Sequence, residues 1–211
     1  MSIEEVGEIK TRIITQDEFQ LSFKQFLTEI ERGAVFIYPT DTIYGIGCNA
    51  LNHESVQKIR VLKGNSTTPF SIIAPSLAWI KEHLEMNAQA DEWLQKLPGP
   101  YTLIFKKRKK DCVAEAVTGD LDSLGVRIPQ HWIRKVVEMI GIPFVTTSVN
   151  KTGKEFMTNL DDVDPDILAG VSFMIDEREK KAYPSTIVYL NKEELTVQER
   201  RSRSSRHDHK A

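Results

Sequence analysis

The stretch at 34–47, AVFIYPTDTIYGIG, constrains the fold more than any other part of the chain. Its first five residues are apolar, β-branched or aromatic, which predicts a buried strand over 34–38 that a proline ends. The strand runs directly into the hydroxyl and carboxylate groups of PTDT at 39–42, and Gly45 and Gly47 then allow a tight turn or a close approach to a ligand. This composition is typical of a binding site, although an ordinary strand-to-turn exit shares it.

Two other segments place small hydroxyl or amide groups next to an apolar run: TTSVN at 146–150 and PSTI at 184–187. Two cations far apart in the sequence, Lys63 and Arg127, are candidates to converge on these segments. Arg127 lies among apolar neighbours in SLGVRIP, so it needs either an acidic partner or a ligand. Charged donors combined with neutral hydroxyls and glycine amides suit a site for a nucleotide and a small acid.

Several common catalytic motifs are missing from the sequence. It contains no GxxxxGK[ST] loop, no GxGxxG fingerprint, no GxSxG elbow and no metal-ligand spacing of histidine and cysteine. These absences argue against a P-loop enzyme, a dinucleotide dehydrogenase, an α/β-hydrolase and a zinc enzyme, and no protein-bound metal is predicted. Cys48 and Cys112 are expected to be free thiols, because their wide separation forms neither a disulfide framework nor a zinc site.

The length of 211 residues, of which 40% are hydrophobic, allows one substantial core and is short for two comfortable domains. We therefore predict one domain over 1–199 and a tail over 200–211. Within the domain, a capping box formed by Thr15 and Glu18 should open a helix that continues to about residue 30. Further helices are predicted at 52–62, 89–97 and 131–140, and further strands at 12–15, 70–74, 101–105, 123–129 and 142–147.

The amino terminus carries no targeting signal that the sequence reveals. The first ten residues are acidic and lack an apolar h-region, and no apolar run of 18 residues follows. Neither secretion nor membrane insertion is indicated, so a cytoplasmic protein without a membrane partner is expected.

The charge distribution is uneven. The net charge is −2, but residues 200–211 carry +4 and the rest of the chain −6. This tail has almost no apolar residue to anchor it, so it is expected to be disordered in isolation, either as a solvated terminus or as an electrostatic arm for a polyanion such as tRNA. The run KKRKK at 106–110 similarly predicts either a solvated loop or a contact to a phosphate backbone.

Six motifs in this order, YPTDTIYGIGC, LKG before PFSII, PGPYTLIF, SLGVRIP, TTSVN and PSTI, resemble the YrdC/TsaC family of L-threonylcarbamoyladenylate synthases. Each motif alone is weak, but the six in the family's order are highly specific, and the similarity covers about residues 20–200. The resemblance implies an α/β fold: a YrdC-like single domain with a twisted mixed sheet and flanking helices around a large concave basic cavity. The second domain of longer relatives is not expected in this chain.

The family's activity is the formation of threonylcarbamoyl-AMP and pyrophosphate from L-threonine, bicarbonate and ATP, with Mg²⁺ accompanying ATP. The product feeds threonylcarbamoyladenosine formation in tRNA through a downstream threonylcarbamoyl-transferase complex. Such a reaction needs no protein nucleophile, because positioning and charge stabilisation can supply the catalysis. The alternative is a module that binds double-stranded RNA or tRNA without synthase activity.

The resemblance also implies roles for residues that match the family's motifs. The triphosphate and Mg²⁺ region would be formed by Lys63, Ser148 and Asn150, which are the catalytic candidates. ATP would additionally contact Asn65, Ser123 and Arg200. L-threonine would be bound by Thr42, Arg127, Thr146 and Ser185, with Arg127 pairing bidentately with its carboxylate.

The sequence departs from the family at Asn65, where relatives usually have an arginine that should hold the triphosphate. Asparagine cannot replace that charge, so activity is reduced or another cation enters the site. Arg60 is the nearest candidate because it lies one helical turn before Lys63, but a solvent-facing position on the helix explains it equally well.

Overall fold

The computed structural model describes residues 11–64 and 67–200, which form one ten-stranded sheet with helices packed against it. The strands are β1 Arg12–Thr15, β2 Phe36–Tyr38, β3 Gly45–Gly47, β4 Ser71–Ile73, β5 Tyr101–Lys106, β6 Ser123–Arg127, β7 Phe144–Ser148, β8 Phe173–Asp176, β9 Thr186–Tyr189 and β10 Thr196–Gln198. The helices are α1 Gln16–Leu21, α2 Phe23–Glu31, α3 His53–Lys63, α4 Leu77–His83, α5 Ala90–Leu94, α6 Glu115–Thr118, α7 Ile133–Ile140 and α8 Pro165–Gly170, with short 3-10 helices at Lys110–Cys112 and Leu160–Asp162. No helix within the described ranges has the length and hydropathy needed to cross a bilayer.

The sheet is mixed, with the spatial order β1-β8-β2-β3-β7-β4-β6-β5-β9-β10. Parallel pairs are β1/β8, β2/β8, β4/β6 and β5/β9, and the other five neighbouring pairs are antiparallel. This arrangement confirms the predicted α/β fold with a mixed sheet and flanking helices.

Both faces of the central strands are buried, because successive side chains in a strand point to opposite sides of the sheet. In β2, Phe36 and Tyr38 join an aromatic cluster that α1, α2 and α7 cover, whereas Ile37 joins the larger core on the other face. Phe36 stacks on Phe173 of β8, with ring centroids 5.0 Å apart. Within the apolar run predicted as a strand over 34–38, residues 36–38 form the strand, which is covered on both sides as its continuous hydrophobicity predicts.

The predicted amino-terminal helix is interrupted. The capping box between Thr15 and Glu18 is present, but the helix ends at Leu21, and a second helix begins after Ser22. Ser22 has a non-helical ψ of 26° and makes no side-chain cap. The interruption leaves Phe19 and Phe26 stacked on each other at 5.1 Å, so tertiary packing of the aromatic cluster prevails over one continuous helix.

Helix α3 has the boundaries that its sequence signals indicate. The side chain of Asn52 accepts a hydrogen bond from Ser55 N at the start of the helix. Gly64 ends it with a φ of 58°, a left-handed conformation that glycine adopts without a Cβ clash. This cap fixes Lys63 in the last turn of α3, facing the interior.

Candidate functional site

A cavity of about 360 Å³ opens beside the central and carboxyl-terminal strands of the sheet. Most of its polar lining consists of hydroxyls, and two arginines, Arg127 and Arg200, supply its positive charge. Among the described residues, none of those lining the cavity is aspartate or glutamate. The buried Arg127 and the exposed Arg200, with no acidic residue in the described lining, make this a site for anions.

Arg127 lies at the end of β6, with its side chain buried beside the PTDT loop. Its Nη2 donates to Asp41 Oδ1 at 2.8 Å and to Thr42 Oγ1 at 3.1 Å. Burial lowers the pKa of Arg127, and the Asp41 carboxylate acts against that lowering. The acidic partner that the apolar surroundings of Arg127 required is therefore Asp41.

The hydroxyls of the PTDT loop form a chain with a fixed direction. Thr40 Oγ1 donates to the carbonyl oxygen of Ile43 at 2.7 Å, which uses its only hydrogen. The 3.0 Å contact between Thr40 Oγ1 and Thr42 Oγ1 must therefore have Thr42 as the donor. Since Thr42 also accepts from Arg127, its hydroxyl hydrogen is not available to a ligand in this arrangement.

A second hydroxyl pair lies at the other side of the cavity. Ser185, immediately before β9, shares a hydrogen bond of 2.7 Å with Thr102 of β5. Arg200 Nη2 donates to Ser185 Oγ and Arg200 Nε to the Ser185 carbonyl oxygen, both at 2.8 Å. The pair has two hydroxyl hydrogens and uses one internally, so the other remains for a ligand as far as the described residues show.

Lys63, which the family resemblance assigns to the triphosphate, is buried next to the loop that follows β7. Its Nζ donates to the carbonyl oxygens of Ser148 and Asn150, and Ser148 Oγ donates to the Asn150 side chain. Burial lowers the pKa of Lys63 to about 8, and no carboxylate pairs with it among the described residues. A buried ammonium held only by neutral oxygens has capacity to attract an anionic ligand.

The predicted site residues meet at one cavity, but not all of them line it. Those that line it are Ser123, Arg127, Thr146, Ser148, Ser185 and Arg200. Thr42 reaches it through Arg127, and Lys63 and Asn150 reach it through Ser148. Asn65 and residues 201–211 lie outside the described residues, whereas Arg200, assigned to the tail from sequence, lies in the cavity wall.

Several polar residues of the site were not assigned a role from the sequence, among them Thr40, Asp41 and Thr102. Thr40 and Asp41 belong to the PTDT block, whose hydroxyl and carboxylate composition was the available signal. Thr102 carries a single hydroxyl in the mostly apolar strand β5. Its role becomes apparent only from its hydrogen bond to Ser185.

Arg60 does not face the solvent, so that interpretation of it from the sequence is wrong, whereas a role at the triphosphate stays a prediction. It is 7% exposed, and its guanidinium donates to the carbonyl oxygens of Thr68, Ala116 and Val117. It also lies over the ring of Phe70, 4.5 Å from the centroid. Arg60 therefore ties the segment that lines the cavity at 68–70 to α6.

The described residues contain no cluster of three or more histidine, cysteine, aspartate or glutamate side chains that could hold a metal ion. The oxygen donors at the Lys63 end are the hydroxyl of Ser148 and the amide of Asn150. Such neutral oxygens fit a Mg²⁺ ion that is already coordinated by the phosphates of a nucleotide, because the phosphates supply the negative charge.

Residues 28–201 match the family model named Sua5/YciO/YrdC, whose description is telomere recombination. The chain belongs to this family. The fold and family that the six motifs implied are therefore confirmed.

Among members of the Sua5/YciO/YrdC family, a Methanocaldococcus jannaschii protein provisionally named threonylcarbamoyl-AMP synthase is 34% identical over 192 residues, covering 89% of each chain. The threonylcarbamoyl-AMP synthase of Pyrococcus abyssi is 32% identical over 166 residues, covering 76% of this chain and 48% of that protein. A crystal structure of P. abyssi Sua5 complexed with L-threonine superimposes with a TM-score of 0.77 and 28% identity, covering 89% of this chain and 56% of the other. This chain thus spans about half the length of the P. abyssi protein.

Proposed function

We propose that this protein is a threonylcarbamoyl-AMP synthase that uses L-threonine, bicarbonate and ATP. The observation that carries the proposal is the cavity itself, in which Arg127 and Arg200 line one space together with hydroxyls and no described carboxylate. An amino acid carboxylate and a nucleotide phosphate both require such cationic and neutral donors. The names of the relatives and the L-threonine bound in the P. abyssi structure support this reading over an RNA-binding module without activity.

The reaction forms two bonds in sequence. The amine of threonine attacks the carbon of bicarbonate to form a C–N bond, and the C–OH bond of bicarbonate breaks. The hydroxide leaves as water with a proton from the amine, and a carbamate remains. A carbamate oxygen then attacks the α-phosphorus of ATP, and the bond to the bridging oxygen of pyrophosphate breaks. The residues of the chain act by alignment and by donors directed at the growing negative charge, so no covalent intermediate on the protein is required.

At the amino acid end, we place the threonine carboxylate on Arg127 and its remaining polar groups near Thr146 and the Ser185–Thr102 pair. Arg127 and Ser185 line the same cavity, and Ser185 is held in place by two contacts from Arg200. The spare hydroxyl hydrogen of the Ser185–Thr102 pair is a donor that a substrate hydroxyl or carboxylate oxygen can accept.

At the nucleotide end, we place the triphosphate near Lys63, Ser148 and Asn150, with Ser123 and Asn65 along ATP. Mg²⁺ would enter with the nucleotide and neutralise phosphate charge there. The Lys63 ammonium already lies within hydrogen-bonding distance of the Asn150 carbonyl oxygen, so its position is fixed before ATP arrives. Preorganised charge of this kind needs no rearrangement when pyrophosphate leaves.

The decisive experiment incubates the purified protein with Mg²⁺, ATP, labelled bicarbonate and each amino acid in turn. The expected result is pyrophosphate together with a labelled adenylate, with L-threonine as the preferred acid. Turnover with a different amino acid would revise the substrate, and no turnover with any amino acid would reject the synthase assignment. Lys63→Ala is the matched inactive variant, because it removes the buried cation that donates to the carbonyl oxygens of Ser148 and Asn150.

We further propose that the protein contacts tRNA or double-stranded RNA in the cytoplasm and passes its product to a threonylcarbamoyl-transferase complex. The support is the basic run at 106–110, in which Lys106, Arg108, Lys109 and Lys110 are exposed. Truncation after Arg201 removes three further positively charged residues and should flatten the salt dependence of RNA binding while adenylate synthesis persists. Unchanged RNA affinity at low salt would exclude a contribution of the tail.

A further inference from the structure

Asp41 joins two loops whose strands are not neighbours. It follows β2 by three positions and pairs with Arg127 at the end of β6, although β3, β7 and β4 lie between these strands in the sheet. Its second carboxylate oxygen accepts from the backbone nitrogen of Gln130 at 2.8 Å. Both oxygens of one carboxylate therefore fix the PTDT loop against the segment that follows β6.

The pair is buried, with side-chain exposures of 8% for Arg127 and 9% for Asp41. Arg127 lines the cavity, whereas Asp41 and Thr42 do not. Asp41 and Thr42 take the hydrogens of Nη2, and Nε is buried without an acceptor among the described residues. The guanidinium is thus held through Nη2 by groups that do not line the cavity, and Nη1 is the nitrogen left to face a ligand.

We infer that Asp41 is a positioning residue for substrate binding: it holds Arg127 in the orientation in which the guanidinium receives the carboxylate of the amino acid. This inference rests on the proposed function. A buried ion pair gives little net stability when compared with apolar packing, because desolvation offsets its attraction. What the pair does provide is a fixed geometry, and a binding arginine depends on geometry because its donors form a rigid planar fork.

The hydrogen bonds between Thr40 and Thr42 determine that Thr42 is an acceptor for Arg127. Because the hydrogen of Thr42 is donated to Thr40, Thr42 presents an acceptor to Arg127 and cannot rotate to present a donor. Asp41 and Thr42 are therefore two acceptors on one nitrogen. Loss of the carboxylate leaves Nη2 with the weaker neutral acceptor and frees the guanidinium to turn away from the cavity.

The test measures equilibrium binding of L-threonine and of MgATP separately, by calorimetry, for the wild-type protein and for Asp41→Asn. Asparagine has nearly the same shape, but it removes the charge and directs an amide donor toward Arg127 or Gln130 N. We expect the dissociation constant for L-threonine to rise about tenfold or more, while that for MgATP changes by less than about twofold. The matched control is Glu92→Gln, which removes a carboxylate from the exposed pair with Lys96 and should leave both constants unchanged.

A double-variant cycle separates positioning from a general loss of structure. If Asp41 acts through Arg127, Asp41→Asn should weaken threonine binding far less in an Arg127→Lys background than in the wild-type background. Additive effects, or wild-type threonine affinity in Asp41→Asn, would overturn the inference and leave the synthase proposal standing. Absence of threonine binding by the wild-type protein would overturn both.

Asp41→Ser provides the second variant if Asp41→Asn does not fold. Serine removes the charge without placing a donor against Gln130 N, and it should show the same selective loss of threonine binding. Equal losses for threonine and MgATP, or failure of both variants to fold, would show that Asp41 serves the fold rather than the position of Arg127.

Discussion

Lys63 Nζ donates to the carbonyl oxygen of Asn150 at 2.7 Å, across 87 positions of the chain. The contact joins the last turn of α3 to the loop after β7, and a further donation to Ser148 fixes the ammonium at the cavity edge. Neutral carbonyl oxygens only partly offset the cost of burying a charge, so the pKa of Lys63 falls to about 8. A cation with this pKa loses its charge within an accessible pH range.

Binding of MgATP should therefore weaken as the pH rises from 7.5 to 9, by up to about tenfold, because the neutral amine cannot attract phosphate. Titration calorimetry at several pH values measures this directly. Lys63→Arg is the matched control, since arginine stays charged throughout and should give a flat profile. A flat profile for the wild-type protein would show that the charge of Lys63 does not contribute to nucleotide binding.

The lowered pKa of Lys63 also affects stability: MgATP binding should weaken as the pH rises, whereas the free energy of unfolding should increase. Between the folded pKa of about 8 and the ordinary value of 10.5, the unfolded chain binds more protons at Lys63 than the folded chain. The penalty for burying the ammonium is fully present below pH 8, so this residue's contribution to the free energy of unfolding should rise with pH across that window. The measurement is urea unfolding of the wild-type protein and of Lys63→Met at pH 7.5 and 9.5. From the lower to the higher pH, the free energy of unfolding of the wild-type protein should rise relative to that of Lys63→Met.

Replacement of Arg127 by lysine should weaken L-threonine binding much more than MgATP binding. Lysine keeps the charge but cannot donate to Asp41, Thr42 and a substrate carboxylate from one rigid plane. The expected cost is about 1–3 kcal/mol of threonine binding free energy. Arg32→Lys on the exposed surface is the control. Selective loss of ATP binding in Arg127→Lys would instead assign this arginine to the nucleotide.

Arg60→Ala should lower thermal stability, because three carbonyl oxygens lose their donor and the Phe70 ring loses its cation. We expect a loss of about 2–3 kcal/mol, which lowers Tm by roughly 5–10 °C for a domain of this size. Lys58→Ala, at an exposed position of the same helix, should have little effect. An unchanged Tm accompanied by lost adenylate formation would support the direct role at the triphosphate that the sequence suggested.

Gly47→Ala should destabilise the centre of the sheet. A Cβ at this position would lie 2.0 Å from the carbonyl oxygen of Val145, and neither backbone can move without disturbing β3 and β7. The expected cost is at least about 2 kcal/mol in urea unfolding. Gly170→Ala provides a contrast, because the three atoms nearest to its new methyl group belong to the Leu62 side chain, which can rotate, rather than to backbone. Equal, small losses for both variants would contradict this account.

Helices and strands whose positions are set by residues close together in the chain can be predicted from the sequence. The Asn52 cap and Gly64 stop bound α3, and the apolar run before PTDT forms β2. Each is set within a few positions by hydrogen bonding, φ preference or side-chain alternation. The interruption at Ser22 was not predictable in this way, because it depends on how Phe19 and Phe26 pack against a distant strand.

For the site, the hydroxyls, glycines and isolated cations at strand ends suited anion binding near Lys63 and Arg127, although an ordinary turn or an acidic partner of Arg127 would explain them too. Which groups meet was decided only by the tertiary structure. Asp41 reaches Arg127 across three intervening strands, the Arg60 guanidinium donates to carbonyl oxygens of Thr68 and α6, and burial brings the pKa of Lys63 to about 8. Charge and chemistry are local properties of a sequence, whereas burial and the choice of hydrogen-bond partner depend on contacts between residues that are far apart in it.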